Sequence, residues 1–246
     1  MADQLNMLLD EFDQIPPTAL QRTIIYLGDL IDRGPNSLRA IDLAIETQNR
    51  RHVDAVIALA GNHENMLRLA ISNSHPESVR DNAARIWISN GGITVLNELI
   101  DQNHNISNDT SIRIALGEKR ISWLNNLNAA HHNGNLTFVH AGIHPEANIE
   151  EFLGRPWDIP LTNLREDRHW AWIREPFLNH RPEQPAHGKF IVHGHSIIAR
   201  TDNTSNTEQI SRFRLNLDGG SFINGVIRAA LFSQDSVTLY ETPQID

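Results

Sequence analysis

TIIYLGDLIDRG, residues 23–34, passes from an apolar run straight into a cluster of glycine and charge. Thr23–Leu27 is β-branched and aromatic, which predicts a short buried strand. Gly28, Asp29, Asp32, Arg33 and Gly34 follow at once, so the polar cluster sits at the strand's carboxyl end. Three other apolar runs end the same way. VIALA (56–60) meets Gly61-Asn62-His63-Glu64, LTFV (136–139) meets His140-Ala141-Gly142, and FIV (190–192) meets His193-Gly194-His195. Ligands in open α/β sheets gather beyond the carboxyl ends of strands. Four such ends, carrying Asp29, Asn62, His140 and His195, are therefore expected to converge. The glycines let the backbone turn sharply and leave room for a ligand.

Around these runs the periodicity switches repeatedly to helix. Leu5, Leu8, Leu9, Phe12 and Ile15 place one apolar stripe on a helix over 3–15, with Asp3 as its expected N-cap and Pro16-Pro17 as its stop. Ser37 is expected to cap a second helix bearing Leu38, Ile41, Ala44 and Ile45. A strand is expected over 53–59, and helices over roughly 64–72, 80–89, 92–101 and 119–129. Runs at 212–217, 226–231 and 237–240 look like a closing β meander. Alternating strands and helices predict an α/β layered fold, with mixed sheets flanked by helices. A single domain over 1–246 is expected. Residues 143–189 hold six prolines and three tryptophans with weak periodicity. They read as an irregular region over the site. The polar stretch 201–209 reads as a mobile loop.

Composition narrows the function classes. The chain has 246 residues, 40% hydrophobic and 21% charged, with a formal net charge of -9. The acidic excess argues against a nucleic-acid partner. No cysteine is present, so thiolate metal sites and disulfides are excluded. No signal peptide or span-length apolar run is visible, so no membrane partner and a cytoplasmic location are expected.

Carboxylate, amide and imidazole without sulfur suit manganese, iron or zinc, and two such ions can clamp a phosphoryl oxygen and activate a water. GDLIDRG (28–34), GNHE (61–64), HAG (140–142) and HGH (193–195) occur in the order seen in calcineurin-like metallophosphoesterases. They resemble the phosphoprotein-phosphatase branch of that family. WIREPF (172–177) and LNLDGG (215–220) are similar to its bacterial and phage Ser/Thr phosphatases.

The resemblance implies a β-sandwich of mixed sheets flanked by helices. It implies two divalent metal ions, manganese first, with iron or zinc as alternatives. Asp29 would bridge the metals, and Asn62, His140 and His195 would complete the second metal's protein ligands. His63 would be the general acid, oriented by Asp32. Arg33, Asn62 and Arg174 would bind phosphate, and the nucleophile would be metal-bound water. Arg174 reads equally well as a surface ion-pair residue. His193 reads as structural, His131 and His132 as solvated, and Trp157, Trp170 and Trp172 as packing residues.

The family's earlier Gly-Asp-x-His-Gly motif is absent from the sequence. The expectation is a chain starting just past that motif, its first strand missing and its first metal site weak or empty. Three functions follow from this reading: a phosphatase for phosphoserine or phosphothreonine in proteins or small phosphoesters, a diadenosine tetraphosphate hydrolase, and an inactive phosphate- or metal-binding remnant.

Overall fold

A computed structural model describes residues 1–16, 21–180, 186–197, 210–211, 213–234 and 236–244. The stretch 201–209 therefore lies outside the described residues. Among them, the elements run α1 (Ala2–Asp13), β1 (Thr23–Tyr26), α2 (Ser37–Glu46), β2 (Ala55–Ala58), α3 (Asn62–Ala70) and α4 (Glu77–Trp87). A π-turn over Ile88–Gly92 leads into α5 (Ile93–Asp101), followed by α6 (Asp109–Asn125), β3 (Ala130–Asn133), β4 (Leu136–Val139) and α7 (Ile149–Leu153). Next come β5 (Phe190–His193), β6 (Ile210–Ser211), β7 (Arg214–Asn216), α8 (Ser221–Asn224), β8 (Arg228–Phe232) and β9 (Val237–Glu241). No helix among the described residues is long and apolar enough to cross a membrane.

The fold is mixed α/β, with several sheets flanked by helices. β1 and β2 pair in parallel, Tyr26 opposite Ala58. A five-stranded sheet runs in the order β3-β4-β5-β7-β6, parallel at β4-β5 and β5-β7. Parallel pairing puts Val139 and His193, the ends of β4 and β5, at one edge, where the site residues begin. β8 and β9 form a separate antiparallel hairpin. Leu59, Phe138 and Val192 form a small shared core between the sheets, while the main core lies among α3–α6 and the segment 143–177. Burying an aliphatic side chain contributes about 1.5–3 kcal/mol. The buried Leu67, Leu69, Trp87, Val95 and Leu99 of α3–α5 therefore anchor the loops beside them.

Four local expectations are corrected. Asp3 is not the cap of α1: Met1 holds that place and Asp3 lies in the first turn, where a carboxylate still favours the helix dipole. Asn36, in the left-handed region at φ 64°, precedes α2 instead of Ser37. The first α2 amides are satisfied from outside, Ser37 N and Leu38 N donating to the Glu98 carboxylate at 2.6 and 2.9 Å. The expected meander is split: β7 joins β5 in the large sheet, and β8-β9 stand apart. β3, with half-buried His131 and exposed His132, was not expected as a strand: it pairs across a Gly134 turn with β4, and its polar sequence hides its period.

Candidate functional site

Each of the four converging residues sits where a strand hands over to a turn. Asp29 follows β1, and Asn62 opens α3 after β2. His140 follows β4, and His195 follows β5 by two residues. The turns are tight. Asp29, Asp32, Arg33 and His195 all have positive φ, at 56, 73, 61 and 66°. Non-glycine residues pay for that conformation, and such strain persists only where the surroundings over-determine it. Gly28, at φ 93°, lies so close to the Gly61 loop that a Cβ would fall 2.6 Å from Gly61 N. Only glycine lets the two loops touch there.

The structure brings Asp29, Asn62, His140 and His195 together. Asp29 Oδ2 lies 3.3 Å from His140 Nε2. Asn62 Oδ1 lies 3.4 Å from His140 Nε2 and 2.9 Å from His195 Nδ1. One ligand atom each from Asp29, His140 and His195 lies within 4.8 Å of the others. The opposite ring nitrogens are turned outward. His140 Nδ1 donates to the Leu27 carbonyl at 2.7 Å, and His195 Nε2 donates to the Trp172 carbonyl at 3.1 Å. Those bonds fix both tautomers and leave His140 Nε2 and His195 Nδ1 with lone pairs facing the Asp29 and Asn62 oxygens. Four lone-pair atoms aimed at one point, with no sulfur among them, make a donor set that fits a borderline divalent cation.

Burial and mutual charge shift these groups in different directions. Burial opposes a charge on Asp29, but the neighbouring imidazoles of His140 and His63 outweigh it and hold its carboxyl well below the ordinary range. Burial likewise opposes charge on His140, yet Asp29 beside it carries the imidazole above its usual pKa. Burial first, and the charge of His140 second, pull His195 down to about 3, so it is a neutral imidazole with a free lone pair.

His63 stands apart from this cluster. Its Nδ1 lies 2.6 Å from Asp32 Oδ2, in a pair whose side chains are 3 and 0% exposed. Its backbone N–H donates to Asp29 Oδ1 at 3.1 Å, tying the pair to the ligand cluster. Burial works against the imidazolium, but Asp29 and Asp32 together raise its pKa above the ordinary value. Burial lifts Asp32 above the usual carboxylate range.

The two arginines occupy the rim. Arg174 Nη1 donates to the His195 carbonyl at 3.0 Å and to Ser196 Oγ at 2.9 Å, which puts the guanidinium beside the cluster. Arg33 Nε donates to the Asn90 carbonyl at 3.1 Å, and the guanidinium carbon lies 4.8 Å from the centre of the Phe222 ring. The segment 143–177 reaches the site through the Trp172 carbonyl and Arg174. Trp170 is buried, with its indole N–H on the Arg155 carbonyl at 3.0 Å, and Trp172 donates to Asn65 Oδ1 at 3.0 Å. His193 is buried against the Phe177 ring at 4.9 Å, and burial pulls it down to about 3.

Two residues were given no site role from the sequence. Glu64, 0% exposed, accepts from Asp29 N at 2.8 Å, Leu30 N at 2.7 Å and Gly61 N at 3.0 Å. It staples the Asp29 loop to the Gly61 loop. Burial, then the Asp29 charge, lift it to about 7. The only sequence signal was its place directly after Asn62-His63. The other is Trp87, whose indole N–H lies 2.9 and 3.0 Å from the two Asp32 oxygens. It is 24 residues past His63 in sequence, so no local motif announces it.

The sequence pattern of calcineurin-like phosphoesterases matches residues 1–229. A symmetrical bis(5'-nucleosyl)-tetraphosphatase of Nitrosomonas europaea is 24% identical over 171 residues, covering 70% of this chain and 52% of that protein. The chain thus spans about half the length of that curated relative. The crystal structure of a cold-active protein-tyrosine phosphatase of a psychrophilic Shewanella species has TM-score 0.53 and 14% identity, covering 98% of this chain and 77% of that one. That likeness concerns the fold alone. A metallophosphoesterase from Sphaerobacter thermophilus has TM-score 0.48 and 14% identity, covering 98% of this chain and 84% of that one.

Proposed function

This chain belongs to the calcineurin-like phosphoesterase family, and from that premise we propose that it hydrolyses phosphate monoesters of serine or threonine type, in proteins or small molecules. The observation that carries the reading is the buried His63–Asp32 pair at 2.6 Å, bonded through His63 N to Asp29. A serine alkoxide is a poor leaving group and needs a proton as it departs. A protonated imidazole locked on a carboxylate supplies one. Asp29, Asn62, His140 and His195 would hold a divalent cation, with manganese the first candidate and iron or zinc next. Bound there, it would supply Lewis-acid activation of water and of the phosphoryl group.

The chain's own residues divide the remaining work. Arg174 and Arg33 face phosphate oxygens from the rim, a task suited to the guanidinium fork. Asn62 offers an amide to the same oxygens. Water adds to phosphorus, one of its protons passing to solvent and the other staying on the phosphate, and the ester P–O bond breaks. His63 passes its proton to the departing oxygen, while Asp32 steadies the ring. The products are inorganic phosphate and a free hydroxyl group.

A second reading is favoured by the Nitrosomonas europaea relative, whose name describes cleavage of dinucleoside tetraphosphates. The anhydride leaving group is better and depends less on a proton donor. The deciding experiment gives the manganese-loaded chain a phosphoserine peptide, p-nitrophenyl phosphate and diadenosine tetraphosphate. Phosphopeptide hydrolysis with the highest kcat/KM supports the first reading. A tenfold preference for the tetraphosphate transfers the assignment to the second. No turnover on any of the three with manganese, iron or zinc leaves a phosphate- or metal-binding remnant.

A further inference from the structure

Asp32 is a buried carboxylate, and among the described residues its Oδ1 has one hydrogen-bond donor, the Trp87 indole N–H at 2.9 Å. The same N–H lies 3.0 Å from Oδ2, the oxygen that also holds His63 Nδ1 at 2.6 Å. The indole thus spans both oxygens and fixes the plane of the carboxylate. Ser37 Oγ accepts from Asp32 N at 3.1 Å, which holds the backbone but leaves the carboxylate free to rotate. Asp32 and Arg33 sit at φ 73 and 61°, conformations that need outside support.

That support comes from the segment containing Trp87. α4 ends at Trp87 and passes into the π-turn over Ile88–Gly92, a kind of irregularity often found at functional sites. The Gly91 carbonyl accepts from Arg33 N at 3.3 Å, and the Asn90 carbonyl accepts from Arg33 Nε at 3.1 Å. Gly92 closes over the indole so tightly that a Cβ there would lie 2.3 Å from Trp87 Cε2. One turn therefore grips residues 32 and 33 together.

We propose that Trp87 is a positioning residue: its indole N–H aligns the Asp32 carboxylate, which in turn aims His63 at the leaving oxygen. The inference rests on the phosphomonoesterase reading above. A tryptophan that merely filled the core would need its ring shape and not its N–H. A leaving group that departs without a proton would not notice its loss.

The test replaces Trp87 with β-(3-benzothienyl)alanine, which keeps the ring shape and puts sulfur where the N–H was. Trp87→Phe and His63→Asn serve as companions. Expected is a melting temperature near that of the parent chain and an unchanged KM. The kcat on the phosphoserine peptide should fall roughly 10–100-fold, the usual cost of losing a supporting hydrogen bond at such a site. Turnover of p-nitrophenyl phosphate should change far less. An unaltered peptide rate overturns the inference, and so does an equal loss on both esters. If His63→Asn separates the two esters and the indole replacement does not, the proposal for Trp87 fails and the reading of His63 stands. If His63→Asn does not separate them, the reading itself fails. A measurement independent of turnover follows the Trp87 indole N–H by NMR. Its hydrogen exchange should be slow and should quicken in Asp32→Ala, and a resonance indifferent to that substitution overturns the proposal.

Discussion

Replacing His63 with Asn keeps a side chain that can still hydrogen-bond Asp32 but cannot release a proton as an imidazolium does. The rate on a phosphoserine peptide is expected to drop ~10²–10⁴-fold, the range for loss of a general acid, while phosphate binding holds. Steady-state kinetics with separate kcat and KM values checks this, and an unchanged kcat removes His63 from the chemistry. His169 offers a different test, of stability. It is buried, with Nδ1 accepting from Ala171 N at 3.1 Å, and burial pulls its pKa down to about 4. Its unfolded value is about 6.5. The folded pKa is depressed, so between those values the unfolded chain binds the extra proton. Acidification through that window should cost up to about 1.4 kcal/mol per pH unit from His169, a contribution that levels off below about 4. Denaturant melts of the parent chain and His169→Gln compare the slopes, and identical pH profiles would refute the assignment.

At the scale of elements, the site depends on contacts between loops and helices that carry no ligand. α5 contributes Glu98, whose carboxylate caps the first amides of α2 at 2.6 and 2.9 Å. Ser37, the residue so capped, accepts from Asp32 N. Glu98→Ala leaves those amides without partners and is expected to cost about 1–2 kcal/mol, the range for loss of a helix cap. Thermal unfolding reads the loss, and a melting point within error of the parent would show that water replaces the carboxylate. Glu64 acts similarly between the Asp29 and Gly61 loops. Glu64→Ala strands three N–H groups, the buried one at Gly61 costing about 1–3 kcal/mol when left unsatisfied and the part-buried ones at Asp29 and Leu30 less. It should weaken manganese binding as well as stability, a pairing that calorimetric titration tests. The sequence could show neither link. Capping by a side chain 60 or 61 residues away follows from how α2 and α5 pack and not from local propensity.

For the molecule as a whole, the expected consequence of the ligand cluster is coupling between metal and fold. A cation binding the folded chain preferentially raises its stability by mass action, about 2.7 kcal/mol at a hundredfold excess over Kd. Manganese should raise the melting temperature of the parent chain. Asn62→Ala and His195→Ala should shrink that shift, and a shift of the same size in both variants would exclude the cluster as the metal's seat. Asp29, Asn62, His140 and His195 were legible because each follows an apolar run; parallel pairing aligns the carboxyl ends of β1 with β2 and of β4 with β5, and packing of Leu59 against Phe138 and Val192 joins the two pairs. Strand period and glycine placement are local properties, so the sequence alone determined the α/β class, the position of β1, β2, β4 and β5, and the four residues that meet. Partners chosen by packing are nonlocal. The reach of Trp87 to Asp32, the staple of Glu64, the tautomers set by the Leu27 and Trp172 carbonyls and the pairing of β3 with β4 were decided only when the chain closed on itself. A buried donor takes whichever acceptor the tertiary structure places within about 3 Å of it.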